Sequence, residues 1–222
     1  MAKRKKPRQG RPGRSPTGRP ARRPGTDRRP PAEEAAPVTI ADERGAPEVI
    51  IVAVGASAGG LEAFSQLLQA LPPDPGFGIV LVQHLAPQHE SALPTLLSGR
   101  TSMPVVQAQE GMPVESNHVY VIPPNVQMGL LDGHLHLVPR PTDRTQYLPI
   151  DFFLRSVADA LQERAIAVIL SGTASDGTGG IRDVKAVGGI TIAQRPETAK
   201  YDGMPRAAIG TGLVDLVLSP AE

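Results

Sequence analysis

The chain of 222 residues is long enough for one globular domain of ordinary size plus an appendage. It has no cysteine, which excludes a disulfide framework, a thiolate zinc site and a cysteine nucleophile, and no apolar run long enough to span a bilayer. The formal net charge of +1 conceals an asymmetry: residues 1–30 hold twelve Lys or Arg against Asp27 alone, a net of +11, and the rest of the chain carries a net of −10.

The opening stretch is dense in Pro, Gly and Arg and nearly free of large apolar side chains. It cannot bury enough surface to offset its ordering entropy, so residues 1–47 read as a disordered basic tail ahead of a folded domain at 48–222. Such a tail suits an anionic partner: nucleic acid, anionic lipid or the acidic domain of its own chain. The absence of interleaved aromatics favours a plain solubilising extension. No apolar signal core follows the basic residues, so the expected location is cytoplasmic.

From Pro47 onward the pattern alternates strand and helix. "VIIVAVG" is a near-continuous apolar run, the mark of a strand covered on both faces. "GGLEAFSQLLQALP" places Leu61, Phe64, Leu67, Leu68 and Leu71 at helical spacing and stops at Pro72 and Pro73. "FGIVLVQH" predicts a second strand and "ESALPTLLSGR" a short helix ending at Gly99. "MPVVQAQ", "HVYVIPP" and "VQMGLLDGHLHLVP" are short extended pieces with a hairpin turn at Asp132-Gly133, expected as an antiparallel meander over residues 104–138. A helix in "LPIDFFLRSVADALQERA", a buried strand in "IAVILSG", a helix in "DGTGGIRDVKAVG" and a strand in "GITIAQ" follow. "GMPRAAIGTG" and "LVDLVL" close the domain as a short helix and a last strand. The expected fold is α/β: a doubly wound, mostly parallel, Rossmann-like three-layer sheet with an antiparallel hairpin insertion near one edge.

In such sheets functional groups collect where strands end and loops lead into helices. Ser57 follows the first strand, His84 the second, and Asp176 the strand before "GTASDGTGG". A hydroxyl, an imidazole and a carboxylate at three equivalent loop ends are the parts of a nucleophile, a base and an orienting acid. Gly55 and Gly59 permit a sharp turn, and amides opening the next helix can meet an oxyanion. Each residue also has a plainer use. Ser57 can serve as an N-cap, Asp176 as the cap of the helix starting at Gly177, and His84 as a backbone-bonded strand end. His134 and His136 share one face of a hairpin strand, but no third ligand lies nearby in sequence, so no metal site is expected.

"GASAG" matches the G-x-S-x-G nucleophile elbow, yet elbow enzymes run Ser, acid, His, whereas the order here is Ser57, His84, Asp176. Neither glycine-rich loop is a Walker A or a G-x-G-x-x-G sequence, which leaves a phosphate-binding module as the alternative class.

Five segments, "VGASAGGLEAF", "VLVQHLAP", "AIAVILSGTASDGTGGI", "TIAQ" and "DGMPRAAI", resemble in order the catalytic domain of chemotaxis protein-glutamate methylesterases, the CheB type. The resemblance spans residues 48–220. It implies a catalytic triad at Ser57, His84 and Asp176, with oxyanion and loop support from Ala58, Gly59, Thr173 and Gly177. Gln83, Met204 and Arg206 become candidates for the substrate cleft. The implied reaction is hydrolysis of glutamate γ-methyl esters on chemoreceptor helices, with glutamine deamidation in some members and no metal or organic cofactor. The implied partners are methyl-accepting receptors, with a companion methyltransferase or histidine kinase as further candidates. The chain departs from its relatives in having the basic tail where two-domain members carry a receiver. It also has Ala58 where many have Thr, and Thr173 where some have Met. A docking module without catalysis is the competing reading.

Overall fold

The structure, a computed structural model, describes residues 49–84, 92–141 and 147–222; the expected 1–47 tail and parts of "VQHLAPQHES" and "PTDRTQ" lie outside these. The central sheet is built from β1 (Ile50–Ala56), β2 (Phe77–Gln83), β3 (Val105–Gln107), β5 (Val119–Val121), β8 (Ile166–Ile169), β9 (Ile190–Gln194) and β10 (Leu216–Leu218). Its order is β10-β9-β8-β1-β2-β5-β3, and every neighbouring pair runs parallel. A second, antiparallel sheet joins β4 (Met112–Pro113), β7 (His134–Pro139) and β6 (Val126–Leu131) in that order.

The helices are α1 (Gly60–Ala70), α2 (Leu93–Ser98), α3 (Pro149–Leu161), α4 (Thr178–Ala186) and α5 (Gly203–Ile209). Period-two alternation sorts them into layers. On β1, Ile51 and Ala53 face one core with Phe153, Leu154 and Val157 of α3 and Ile181 and Val184 of α4. Val54 and Ala56 face the other, with Phe64 and Leu68 of α1 and Leu97 of α2. Val80 and Val82 against Ile79 and Leu81 repeat the division on β2. Both faces of the sheet are therefore covered, which is why these strands read as unbroken apolar runs.

The antiparallel part is smaller than the 104–138 span suggests. β3 and β5 pair in parallel with the main sheet and extend it beyond β2. All three residues of β5 are buried, so no side of it is free to face solvent in a meander. Only β4, β6 and β7 form the separate sheet, with the expected hairpin turn at Asp132 and Gly133, both at positive φ.

The winding fixes where chemistry can collect. The chain leaves β1 through α1 to β2 on one side, and later returns through α3 to β8 on the other side of β1. A crevice opens at such a reversal, outside the carboxyl ends of the strands. The residues following β1, β2 and β8 all border it.

Candidate active site

Ser57 follows β1 directly, and its backbone N–H donates to the Ser171 carbonyl at 3.0 Å, tying the turn to the end of β8. Gly59 lies at φ +71° and immediately precedes α1. A side chain there would be strained, and its Cβ would sit 2.7 Å from Ser171 Oγ. The N-terminus of α1 receives no side-chain cap. The Ser57 hydroxyl is instead 2.9 Å from His84 Nδ1, which removes the N-cap alternative.

His84 extends from the end of β2, with its side chain 31 % exposed. Its second nitrogen, Nε2, is 2.8 Å from Asp176 Oδ2. A carboxylate can only accept, so Nε2 carries the proton and Nδ1 presents its lone pair to the Ser57 hydroxyl. Asp176 is 3 % exposed and also accepts the backbone N–H groups of Ile150 (3.1 Å, Oδ2) and Asp151 (2.9 Å, Oδ1). It therefore caps a helix, but the helix is α3 and not α4, whose own N-cap is Gly177 at φ +95°. Two backbone amides and the His84 imidazole N–H satisfy this buried carboxylate, which is what a buried charge requires.

The turn after Ser57 leaves donors free. Among the described residues, the amides of Ala58 and Gly59 find no acceptor, nor does that of Thr173 in the loop after β8. Thr173 is exposed and Ala174, beside it, holds φ +65°, a left-handed conformation that costs a non-glycine residue about 1 kcal/mol. Gly172 is needed here because its Cβ would collide with Met204 Sδ and stand 2.9 Å from Ser57 Cβ.

The three expected cleft residues part company. Gln83 borders the site at the end of β2, and its side-chain carbonyl oxygen is buried with no hydrogen-bond partner among the described residues. Met204 is 1 % exposed and packs behind Gly172, in the core. Arg206 is exposed and pairs with Asp202 one turn earlier. Neither makes a hydrogen bond or ion pair with Ser57, His84 or Asp176. His136 bonds Glu110 at 2.8 Å, on the small sheet.

Several residues around the site were not singled out from the sequence. Ser171 is fully buried; its hydroxyl donates to the Ala58 carbonyl at 2.9 Å and accepts Tyr201 N–H at 3.0 Å, bracing the Ser57 turn. Gln194, buried at the end of β9, accepts Ser171 N–H at 2.8 Å. Polar residues closing apolar strands, in "ILSG" and "TIAQ", were the available signal. Tyr147 lies 6.5 Å from the His84 ring and carries the Arg140 guanidinium 3.8 Å above its own ring. Burial raises the Tyr147 phenol above its ordinary range. Burial also raises the Asp151 carboxyl, against the backbone hydrogen bond from Gly180.

Known proteins share this arrangement's sequence and fold. The family model for CheB methylesterase matches residues 52–222. The chain is 38% identical over 187 residues to protein-glutamate methylesterase/protein-glutamine glutaminase 2 of Burkholderia lata, covering 80% of this chain and 52% of that protein. A putative protein-glutamate methylesterase/protein-glutamine glutaminase of Leptospira interrogans is 32% identical over 170 residues, covering 76% of this chain and 88% of the other. A 104.1 kDa protein of Rhodobacter capsulatus is 48% identical over 124 residues, 56% of this chain and 13% of that one. The chain thus spans about half the length, or less, of several curated relatives that it matches. The crystal structure of the Thermotoga maritima CheB methylesterase catalytic domain superposes with a TM-score of 0.72 at 32% identity, over 78% of this chain and 94% of that one. The chain belongs to the CheB methylesterase family.

Proposed function

We propose that the chain is a protein-glutamate methylesterase acting on methylated chemoreceptors through a triad of Ser57, His84 and Asp176. The observation that carries this reading is the unbroken relay from Ser57 Oγ to His84 Nδ1 at 2.9 Å and from His84 Nε2 to Asp176 Oδ2 at 2.8 Å. His84 Nδ1 takes the Ser57 proton as Oγ bonds to the ester carbonyl carbon, and the carbonyl electrons move onto oxygen. The amides of Ala58, Gly59 and Thr173 meet that oxyanion, and Asp176 holds the imidazolium. Collapse breaks the bond to methoxide, which leaves as methanol with the proton from His84. Water then attacks the acyl-enzyme, yields its proton to His84, and releases the glutamate carboxylate while Ser57 regains its proton. Each step uses only these side chains, backbone amides and water.

The relatives' double name extends the same scheme to glutamine side chains, with ammonia as the leaving group. Intact-mass analysis during turnover of a glutamate γ-methyl ester peptide tests the reading: an acyl adduct on Ser57 supports it, and hydrolysis without Ser57 refutes it. The basic tail, +11 over residues 1–30, is assigned to solubilising the domain in a cytoplasmic setting, with an anionic partner as the alternative. Deleting residues 1–45 should leave small-ester turnover and receptor binding unchanged; binding weakened most at low salt would assign the tail to the anionic partner. Raised turnover would make the tail an inhibitory cover instead.

A further inference from the structure

α3 and α4 exchange caps. Asp176, two residues before α4, gives its carboxylate to the first amides of α3, those of Ile150 and Asp151. Asp151, in the first turn of α3, returns its own to the start of α4, accepting Gly180 N–H at 2.8 Å. Each acid sits at the positive end of the other's helix, and neither helix has a side-chain cap of its own. The glycines of "DGTGG" fit this arrangement. A Cβ on Gly179 would stand 3.1 Å from the Asp151 carboxyl carbon and from both its oxygens, and one on Gly180 would run into Leu154 Cβ.

The exchange reaches the site through one atom. Asp176 Oδ2, which receives His84 Nε2–H, is held by Ile150 N–H, and the next residue is Asp151. Any slip of α3 against α4 would turn the Asp176 carboxylate away from the imidazole. We propose that Asp151 is a positioning residue: its carboxylate clamps the first turn of α3 to the glycine-rich start of α4 and so fixes Asp176 on His84. The kinetic part of this inference rests on the esterase reading above; the spectroscopic part does not.

The groups facing His84 are Ser57 from the turn after β1, Asp176 from the loop after β8, and the Tyr147 ring with Arg140 over it. Asp151 stands behind Asp176 as a second acid. Asp151→Ala removes the acceptor of the Gly180 amide, whereas Asp151→Asn keeps an acceptor oxygen there. Asp151→Ala should lower kcat on a small ester by about 100-fold, the scale of an ångström's misplacement, with little change in KM, and Asp151→Asn should restore most of it. The His84 Nε2–H proton resonance, which reports the hydrogen bond to Asp176, should move in Asp151→Ala and return in Asp151→Asn.

A folded Asp151→Ala protein with unchanged kcat and an unchanged His84 Nε2–H resonance would overturn the inference and leave Asp151 as a helix cap. A wild type that hydrolyses no ester would defeat the esterase reading and leave the NMR comparison to decide this one. Should the variant not fold, the wild type decides: acid titration of Asp151 should move the Gly180 amide and His84 Nε2–H resonances with one midpoint. Separate midpoints would refute the coupling.

Discussion

Replacing Asp176 with Asn separates an orienting acid from a helix cap. Asp176 Oδ2 receives two donors, His84 Nε2–H and Ile150 N–H, and Oδ1 receives Asp151 N–H. Asn has one acceptor oxygen and one NH₂, so it cannot serve all three. With its oxygen at the Oδ2 position, the NH₂ opposes Asp151 N–H, and the imidazole keeps its tautomer without a charge to support the imidazolium. With the amide turned over, the NH₂ opposes Ile150 N–H and drives the His84 proton to Nδ1, where it blocks proton transfer from Ser57. The first arrangement loses one buried hydrogen bond, about 1–3 kcal/mol of stability. Loss of the orienting acid in serine triads lowers turnover about 10⁴-fold near neutral pH, about 5 kcal/mol of barrier. Parallel urea titrations and ester kinetics would read both quantities. Asn is as good an N-cap as Asp, so a cap alone would change little. A folded variant within about tenfold of wild-type kcat would refute the triad.

The Gly172→Ala methyl would collide with Met204 Sδ and press on Ser57 Cβ. Overpacking should cost about 1–3 kcal/mol of stability, with kcat falling about 100-fold because the nucleophile moves; chemical denaturation with kinetics checks both, and an unperturbed variant would contradict the packing. Away from the site, the Asp215 carboxyl is held down from 3.8 to about 2 by the Lys185 ammonium first and then by the Thr191 amide. A depressed carboxylate stabilises the fold above pH 3.8, and that contribution is lost as pH falls through about 2. The shift alone corresponds to about 2 kcal/mol. The side chain is still 34 % exposed, so solvent screening reduces this to about 1 kcal/mol or less. Asp215→Asn should therefore lower stability by that amount at pH 7, with a gap that closes toward pH 2; a gap independent of pH would show that the Lys185 pair carries none of it.

The sequence patterns made the layers and the three loop ends legible because burial and strand ends act locally. Unbroken apolar runs marked β1, β2 and β8, and the polar residue after each fell at the crevice. The long-range terms were not legible. Asp176 looked like a cap for the helix that follows it, and nothing local reveals that it reaches α3 or that Asp151 reaches back to α4. β3 and β5 fall within the expected meander because three-residue strands carry no readable period; β5 is buried on both faces, whereas β3 is the half-exposed edge of the parallel sheet. The motif alone makes Met204 a cleft candidate, whereas packing puts it behind Gly172. Ser171 and Gln194 look like ordinary strand-end residues until the Ser57 turn is seen resting on them.

Ser57 is proposed as the nucleophile of a receptor methylesterase. Methanol release from radiolabelled, methylated chemoreceptor membranes tests it most directly, with wild type and Ser57→Ala compared at equal folded concentration. The wild type should release methanol in proportion to receptor methyl groups. With Ser57→Ala, a loss approaching about 10⁶-fold is expected, since triad members act as a unit. Equal release by the two proteins, or no release by the wild type, would contradict it.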